Sequence, residues 1–248
     1  MTKRICVWSG PRNISTALMY SFAQRSDTTV VDEPLYAHYL STTEAYHYHP
    51  GADEVLITQE NDGASVVRNV ILGGYPTPVV FFKQMVHHLV NLDWDFLDQT
   101  INVLLTRDPR EMLPSYAKNV EQPKLDDTGY ADLVQLLDYL RARGQSPPVL
   151  DSRQVLLNPH RVLVRLCAQI EIPFDEGMLS WEAGPRAEDG VWARYWYHSV
   201  HRSTGFQKYK AKSAPFPPHL EPLLAECRPY YDKLMALAIR ADDAEAGA

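Results

Sequence analysis

Five short apolar runs alternate with helical segments along this 248-residue chain, and no other feature narrows the fold as far. Ile5-Cys6-Val7-Trp8 stops at the tight turn Ser9-Gly10-Pro11 and reads as a buried strand. Ser15 opens a helical pattern, with Ala17, Leu18, Tyr20, Ser21 and Phe22 giving an apolar or small face that ends near Arg25-Ser26-Asp27. The β-branched run Thr28–Val31 predicts a second strand, closed by Asp32-Glu33-Pro34. Val79–Phe82, after Pro76-Thr77-Pro78, predicts a third. Ile101–Leu105, ended by Thr106-Arg107-Asp108-Pro109, predicts a fourth. Val149-Leu150, after Pro147-Pro148, predicts a fifth. Asp108 caps a helix with Pro in its first turn, running toward Val120. Tyr130–Arg143 is amphipathic and stopped by Gly144, and Asn158-Pro159 opens a helix to about Ile170. Short apolar strands separated by helices mean parallel β-α units. The expected class is α/β, a three-layer sandwich with a central parallel sheet.

Ligands of such sheets sit beyond the carboxyl ends of the strands. Four turns at those ends carry polar groups: Ser9–Thr16, Asp32–Glu33, Lys83 and Thr106–Ser115. Their convergence is the main functional clue. Ala183–Lys212 differs from the rest, being rich in Trp, Tyr, Arg and Lys without periodicity, and reads as a long ordered loop. The length suits one domain over residues 1–240, with the small, acidic stretch Ala241–Ala248 expected to fray.

Charge limits the partners. There are 24 Lys and Arg against 31 Asp and Glu, a net charge of −7, which argues against a protein that coats nucleic acid or a basic membrane-surface protein. It does not forbid a small anionic ligand. The three cysteines, Cys6, Cys167 and Cys227, follow no metal spacing and read as reduced thiols of a cytoplasmic protein. No signal peptide or transmembrane helix is expected.

Trp8–Thr16 joins the first strand to a helix. Such a start aims free backbone N–H groups at one spot, and the helix dipole adds partial positive charge. Ser15 and Thr16 add hydroxyl donors and Arg12 a full charge. This is P-loop nucleotide-binding chemistry without the Gly-Lys pair of nucleotide triphosphatases, because Ile14-Ser15 stands in its place. A plain helix N-cap is the ordinary alternative. The second signal is Thr106–Tyr116, where Arg107 leaves a strand and Ser115 follows eight residues later, so that the two could grip one phosphate. An Arg at a strand end is otherwise often a surface ion pair.

Together these segments resemble the sulfotransferase family, which uses 3′-phosphoadenosine 5′-phosphosulfate as sulfuryl donor. Pro11-Arg12-Asn13-Ile14-Ser15-Thr16 resembles its 5′-phosphosulfate loop, and the Arg107–Ser115 pair resembles its 3′-phosphate site. Val149-Leu150-Asp151, Asn158–Leu163 and Ile172-Pro173-Phe174 resemble the family's later strand, its Asn-Pro helix and the Leu-Pro-Phe that follows. More narrowly, Ser21–Leu40 is similar to a sulfotransferase-like group in which some plant proteins carry a branched-chain aminotransferase-like label. No pyridoxal phosphate site surrounds Lys83, and no aminotransferase is expected.

The resemblance implies roles. The backbone of Asn13, Ile14, Ser15 and Thr16, with the two hydroxyls, would hold the 5′-phosphosulfate, and Arg12 would stabilise charge on the bridging oxygen. Glu33 is the first choice of base, with a turn cap before Pro34 as the alternative. Lys83 resembles the strand-end Lys of cytosolic sulfotransferases. Their catalytic His would fall at Met85, so the base falls to Glu33, and His87 and His88 read as structural. Arg202, in the loop around Ser199–Lys208, would close over the 3′-phosphate. The usual adenine-stacking aromatic is missing, with Trp192 or Trp196 as stand-ins. No metal is expected, and His47 and His49 read as loop residues. The acceptor would be a small molecule, in a pocket drawn from Tyr36–Tyr48 and Trp192–Tyr197 that suits a flat, apolar or sugar-like group. A magnesium-dependent P-loop kinase or phosphotransferase, and a non-catalytic nucleotide-binding relative, stay open beside this reading.

Overall fold

The computed structural model describes residues 2–118, 120–211 and 214–242. All five expected strands form: β1 Lys3–Ser9, β2 Thr28–Asp32, β3 Val79–Met85, β4 Ile101–Thr106 and β5 Val149–Asp151. They make one parallel sheet in the order β2-β3-β1-β4-β5. The protein is thus an α/β three-layer sandwich. Strand side chains alternate between faces, and the core divides accordingly. Ile5, Val7, Phe81 and Val103 pack on one side with Leu18, Met19 and Phe22 of α1 (Ser15–Phe22) and with Val162, Leu163 and Leu166 of α8 (Pro159–Gln169). Cys6, Trp8, Phe82 and Leu104 pack on the other with Leu133, Leu136 and Leu140 of α6 (Tyr130–Ala142) and Leu234 of α10 (Glu221–Met235).

The remaining helices are short: α2 Tyr36–Thr42, α3 Ala52–Thr58, α4 Gly63–Val66, α5 Pro109–Tyr116, α7 Ser152–Leu157 and α9 Ala193–Trp196. As expected, Asp108 caps α5, accepting from the Arg110 amide at 2.8 Å, and Asn158 caps α8, accepting from the Arg161 amide at 3.1 Å. No sequence expectation covers α10, the longest helix described. Pro222 and Pro229 interrupt its pattern, while Leu223, Leu224, Cys227, Tyr231 and Leu234 still bury one face. Ala183–211 is largely irregular, apart from α9 and a turn at Val200–Arg202. Lys212 of that expected loop lies outside the described residues. So do residues 243–248 of the expected frayed tail. Ala241 is buried, and its amide donates to Gln154 Oε1 at 2.9 Å. No described helix is long and apolar enough to cross a membrane.

The sheet order reverses at β1, which lies between β3 and β4. Crevices of parallel sheets open at such a point, and the β1–α1 loop sits there. Gly10 in that loop has no room for a side chain, because a Cβ would stand 2.4 Å from the Thr128 carbonyl oxygen. Gly10→Ala must push apart the loop and the Asp126–Thr128 turn. It should cost about 1–3 kcal/mol of unfolding free energy in urea titration. A change within about 0.5 kcal/mol would mean that the two backbones are not locked together.

Candidate active site

α1 begins at Ser15 without a side-chain cap, so its first amides are not taken by one. Arg12 adopts a left-handed φ of 56°, which turns the chain sharply before the helix. Asn13 braces the loop from inside: its Nδ2 donates to the Gly10 carbonyl at 3.1 Å, and its Oδ1 accepts from Ser152 at 3.1 Å. The Asn13 side chain is therefore committed to the fold, which leaves its backbone to face the loop. Ile14 packs its side chain toward the core.

Arg12, Arg107 and Ser115 meet. Arg12 Nε donates to Ser115 Oγ at 3.2 Å, and Arg107 Nη1 donates to the Arg12 carbonyl at 2.9 Å. Burial, then the charge of Arg107, lower the Arg12 pKa. Among the described residues no carboxylate pairs with Arg12, while Arg107 approaches Glu111 at 3.5 Å. Arg107 Nε is buried without a partner. Two adjacent guanidiniums, one carrying an unused buried donor, make a site short of negative charge.

The second cluster forms at the ends of β2 and β3, where Asp32 pairs in register with Lys83. Consecutive strand residues point to opposite faces, so Asp32 and Glu33 should diverge. They do not, because Glu33 takes a left-handed φ of 40° and its amide donates to the Lys83 carbonyl at 2.9 Å. Both carboxylates then reach one ammonium. Lys83 Nζ donates to Asp32 Oδ1 at 3.0 Å, to Tyr197 Oη at 2.7 Å, and to Glu33 Oε1. All three of its protons are used. Tyr197 Oη also accepts from Trp192 Nε1 at 3.1 Å and donates to Asp32 Oδ2 at 2.7 Å. Burial alone would lower the Lys83 pKa; the Asp32 and Glu33 charges outweigh it and hold the ammonium above its ordinary value. Burial raises Glu33, with Asp32 adding to it against the pull of Lys83.

One cavity of about 660 Å³ joins the two clusters. Arg12, Asn13, Ser15 and Thr16 line it, and so do Glu33 and Lys83. Tyr36, Tyr39, Tyr48, Trp192, Trp196 and Tyr197 line it too, uniting the two aromatic stretches expected around an acceptor. Ile14, Arg107, Ser115 and Arg202 are not in its wall, although Arg12 connects Arg107 and Ser115 to it. Arg202 is exposed on the Val200–Arg202 turn. Tyr209 of the same loop reaches α5, where its hydroxyl donates to Glu111 at 2.6 Å. His88 is buried and stacks on Tyr36 and Tyr39, with centroids 5.1 and 4.8 Å away. Among the described residues no group of three or more His, Cys, Asp or Glu side chains is placed to hold a metal ion.

The sulfotransferase domain family matches residues 3–238. This chain belongs to that family. Its fold agrees: it superposes with a TM-score of 0.56 on a sulfotransferase from Alicyclobacillus acidocaldarius, at 14% identity and covering 97% of each chain. The sulfotransferase domain from the curacin biosynthetic pathway gives 0.52, at 14% identity, covering 92% of this chain and 98% of that one. Two Arabidopsis thaliana proteins, branched-chain-amino-acid aminotransferase-like proteins 1 and 2, are 42% and 38% identical over 228 and 231 residues. The matches cover 92% and 93% of this chain but about 40% of the length of those relatives.

Sequence reasoning about this sulfotransferase domain missed Asp32 and Tyr197 as partners of Lys83. Asp32 was hidden because the register of β2 against β3 cannot be read from either strand alone, and Tyr197 lies 114 residues from Lys83 along the chain. A Tyr among tryptophans was the only signal.

Burial also sets a pH response. It lowers His87 to about 3, with His49 adding to the effect. An unfolded His titrates near 6.5, so between about 6.5 and 3 the unfolded chain holds the extra proton and stability falls as pH falls. Asp132 and Asp151, raised by burial to about 6, work in the opposite sense below that pH. The wild-type minus His87→Gln difference isolates the histidine. That difference should shrink on acidification by up to about 1.4 kcal/mol per pH unit in urea titrations. A difference that stays flat from pH 7 to 4 removes His87 from the account.

Proposed function

We propose that this domain transfers a sulfuryl group from 3′-phosphoadenosine 5′-phosphosulfate to a hydroxyl or amine of a small acceptor. The observation that carries the reading is one cavity that holds both an uncapped helix start beside Arg12 and the Glu33 carboxylate. The amides of residues 13–16, with the Ser15 and Thr16 hydroxyls, would bind the 5′-phosphosulfate. Arg107 Nε and the Ser115 hydroxyl proton would meet the 3′-phosphate, since Ser115 Oγ accepts from Arg12 and keeps its own donor. Arg202 takes no part in this reading.

Glu33 would remove the acceptor proton as that oxygen or nitrogen bonds to sulfur. The bond from sulfur to the 5′-phosphate oxygen breaks at the same centre, and its electron pair leaves on that oxygen. Arg12 would stabilise the charge that gathers there. A raised pKa makes Glu33 a stronger base than an ordinary carboxylate. Lys83 holds Glu33 in place and compensates its charge.

Calorimetry with adenosine 3′,5′-bisphosphate, ATP and magnesium-ATP tests the donor site. The bisphosphate should bind tightest without magnesium, and Arg107→Ala should weaken it about tenfold to a hundredfold. Preference for magnesium-ATP would instead support a kinase. Glu33→Gln should cut turnover about 10²- to 10⁴-fold on any acceptor the wild type sulfates, with bisphosphate affinity kept. Full turnover by that variant would remove Glu33 as the base.

A further inference from the structure

The rest of the cavity wall narrows the acceptor's chemistry. Tyr36, Tyr39, Tyr48, Tyr116, Trp192 and Trp196 give it an aromatic surface. Their contacts fix it: Trp192 meets Tyr36 edge-on at 5.1 Å and 82°, and the Tyr36 hydroxyl bonds His49 Nδ1 at 2.7 Å. Three imidazoles, His49, His87 and His88, share the wall. Burial lowers His49 to about 4, lowers His87 to about 3 and holds His88 well below the ordinary value, so at neutral pH none of them adds positive charge. His88 is 1% exposed, and its Nδ1 has no partner in the protein.

The charged groups around the cavity are unequal in what they offer. Lys83 has spent every donor on Asp32, Glu33 and Tyr197, and Arg12 is turned to Ser115. Lys118 is exposed. Against these stand the carboxylates of Glu33 and Asp127, Glu121 being exposed like Lys118. Asp127 and Glu33 line the same cavity as these rings, so both carboxylates stand beside the aromatic surface. A flat neutral acceptor would use the rings and leave Asp127 to be desolvated without return. A cation uses both, since ring faces attract it and carboxylates oppose its charge.

We propose that the acceptor is an amino alcohol, with its alkylammonium group seated against the Tyr36–Tyr39–Trp192–Trp196 wall within reach of Asp127 and its hydroxyl presented to Glu33. This rests on the sulfotransferase reading of the same cavity.

The experiment is calorimetry on the full chain loaded with adenosine 3′,5′-bisphosphate. The probes are choline and its neutral isostere 3,3-dimethylbutan-1-ol. Choline should bind at least tenfold tighter than the isostere. Asp127→Asn should erase several-fold of that preference while leaving the isostere's affinity in place. Trp196→Leu, which keeps apolar volume but removes a ring face, should also weaken choline more than the isostere. Equal binding of the two probes, tighter binding of the neutral one, binding of neither, or equal losses for both in the variants overturns the amino alcohol. The loading step separates the two readings. Failure of the bisphosphate to bind overturns the donor site, whereas bisphosphate binding without choline preference overturns the acceptor class alone.

Discussion

A buried ammonium is the constraint on which the rest of this structure depends. Lys83 stands on an inner strand of the sheet with its side chain 2% exposed. An isolated charge there would be prohibitive, and partners on three sides make it tolerable. Those partners come from separate pieces of chain. Asp32 ends β2 and Glu33 follows it, and Tyr197 belongs to the long irregular segment after residue 183. Gly190 adds its amide to Asp32 at 3.3 Å, and Trp192 its indole N–H to Tyr197. One ammonium therefore orders a loop that has little regular structure of its own. The same loop is also tied to α1, where Tyr20 donates to Asp189 at 2.8 Å, and to itself, where His201 meets Asp189 at 2.9 Å. Long loops in compact domains need such anchoring to outweigh their conformational entropy.

Local signals were legible in the sequence and distant ones were not. The five strands could be read because each is an apolar run bounded by Pro, Gly or acidic turns, and parallel strands buried on both faces must look that way. The caps Asp108 and Asn158 could be read because capping is a matter of two or three residues. Arg12, Ser15, Thr16, Glu33 and Lys83 converge because strand ends of one parallel sheet share an edge, which the alternation of elements implied. α10 was hidden by its own prolines. Tyr197 was hidden because nothing near it names a partner on β3. The direction of Glu33 depends on a left-handed residue that an extended strand would not have. Arg202 marks the limit of local reading: its place in a basic, aromatic loop could be read, but its relation to the cavity could not, and it is exposed outside the cavity wall.

The acidic balance of the chain and the grouping of its cations serve different ends. Among the cations at the sheet edge, Lys83 is neutralised within the fold, whereas Arg12 and Arg107 lie against each other, with Glu111 3.5 Å from Arg107. A net charge of −7 repels polyanions at long range, and salt screens that repulsion beyond about 10 Å. A small anion that reaches the crevice meets the local field instead. The arginine pair and the uncapped helix start then outweigh the distant surface carboxylates.

The same burial that makes the cavity aromatic also decides which group can take a proton in the proposed reaction. A general base works best when its pKa lies near the working pH. His87 at about 3 and His49 at about 4 are neutral at pH 7 but too weak to hold an abstracted proton. Burial moves a carboxylate the other way, and Glu33 is raised by it. One environment thus disarms the histidines and strengthens the acid's conjugate base. Asp32 sharpens the contrast. It shares Lys83 with Glu33, but it also accepts from Tyr197 and from the Gly190 amide, so its lone pairs are engaged by the fold. Glu33 is the carboxylate of the pair that lines the cavity. In the proposed reaction, proton transfer would then be directed by solvation and hydrogen-bond count, with no histidine needed at the position Met85 occupies.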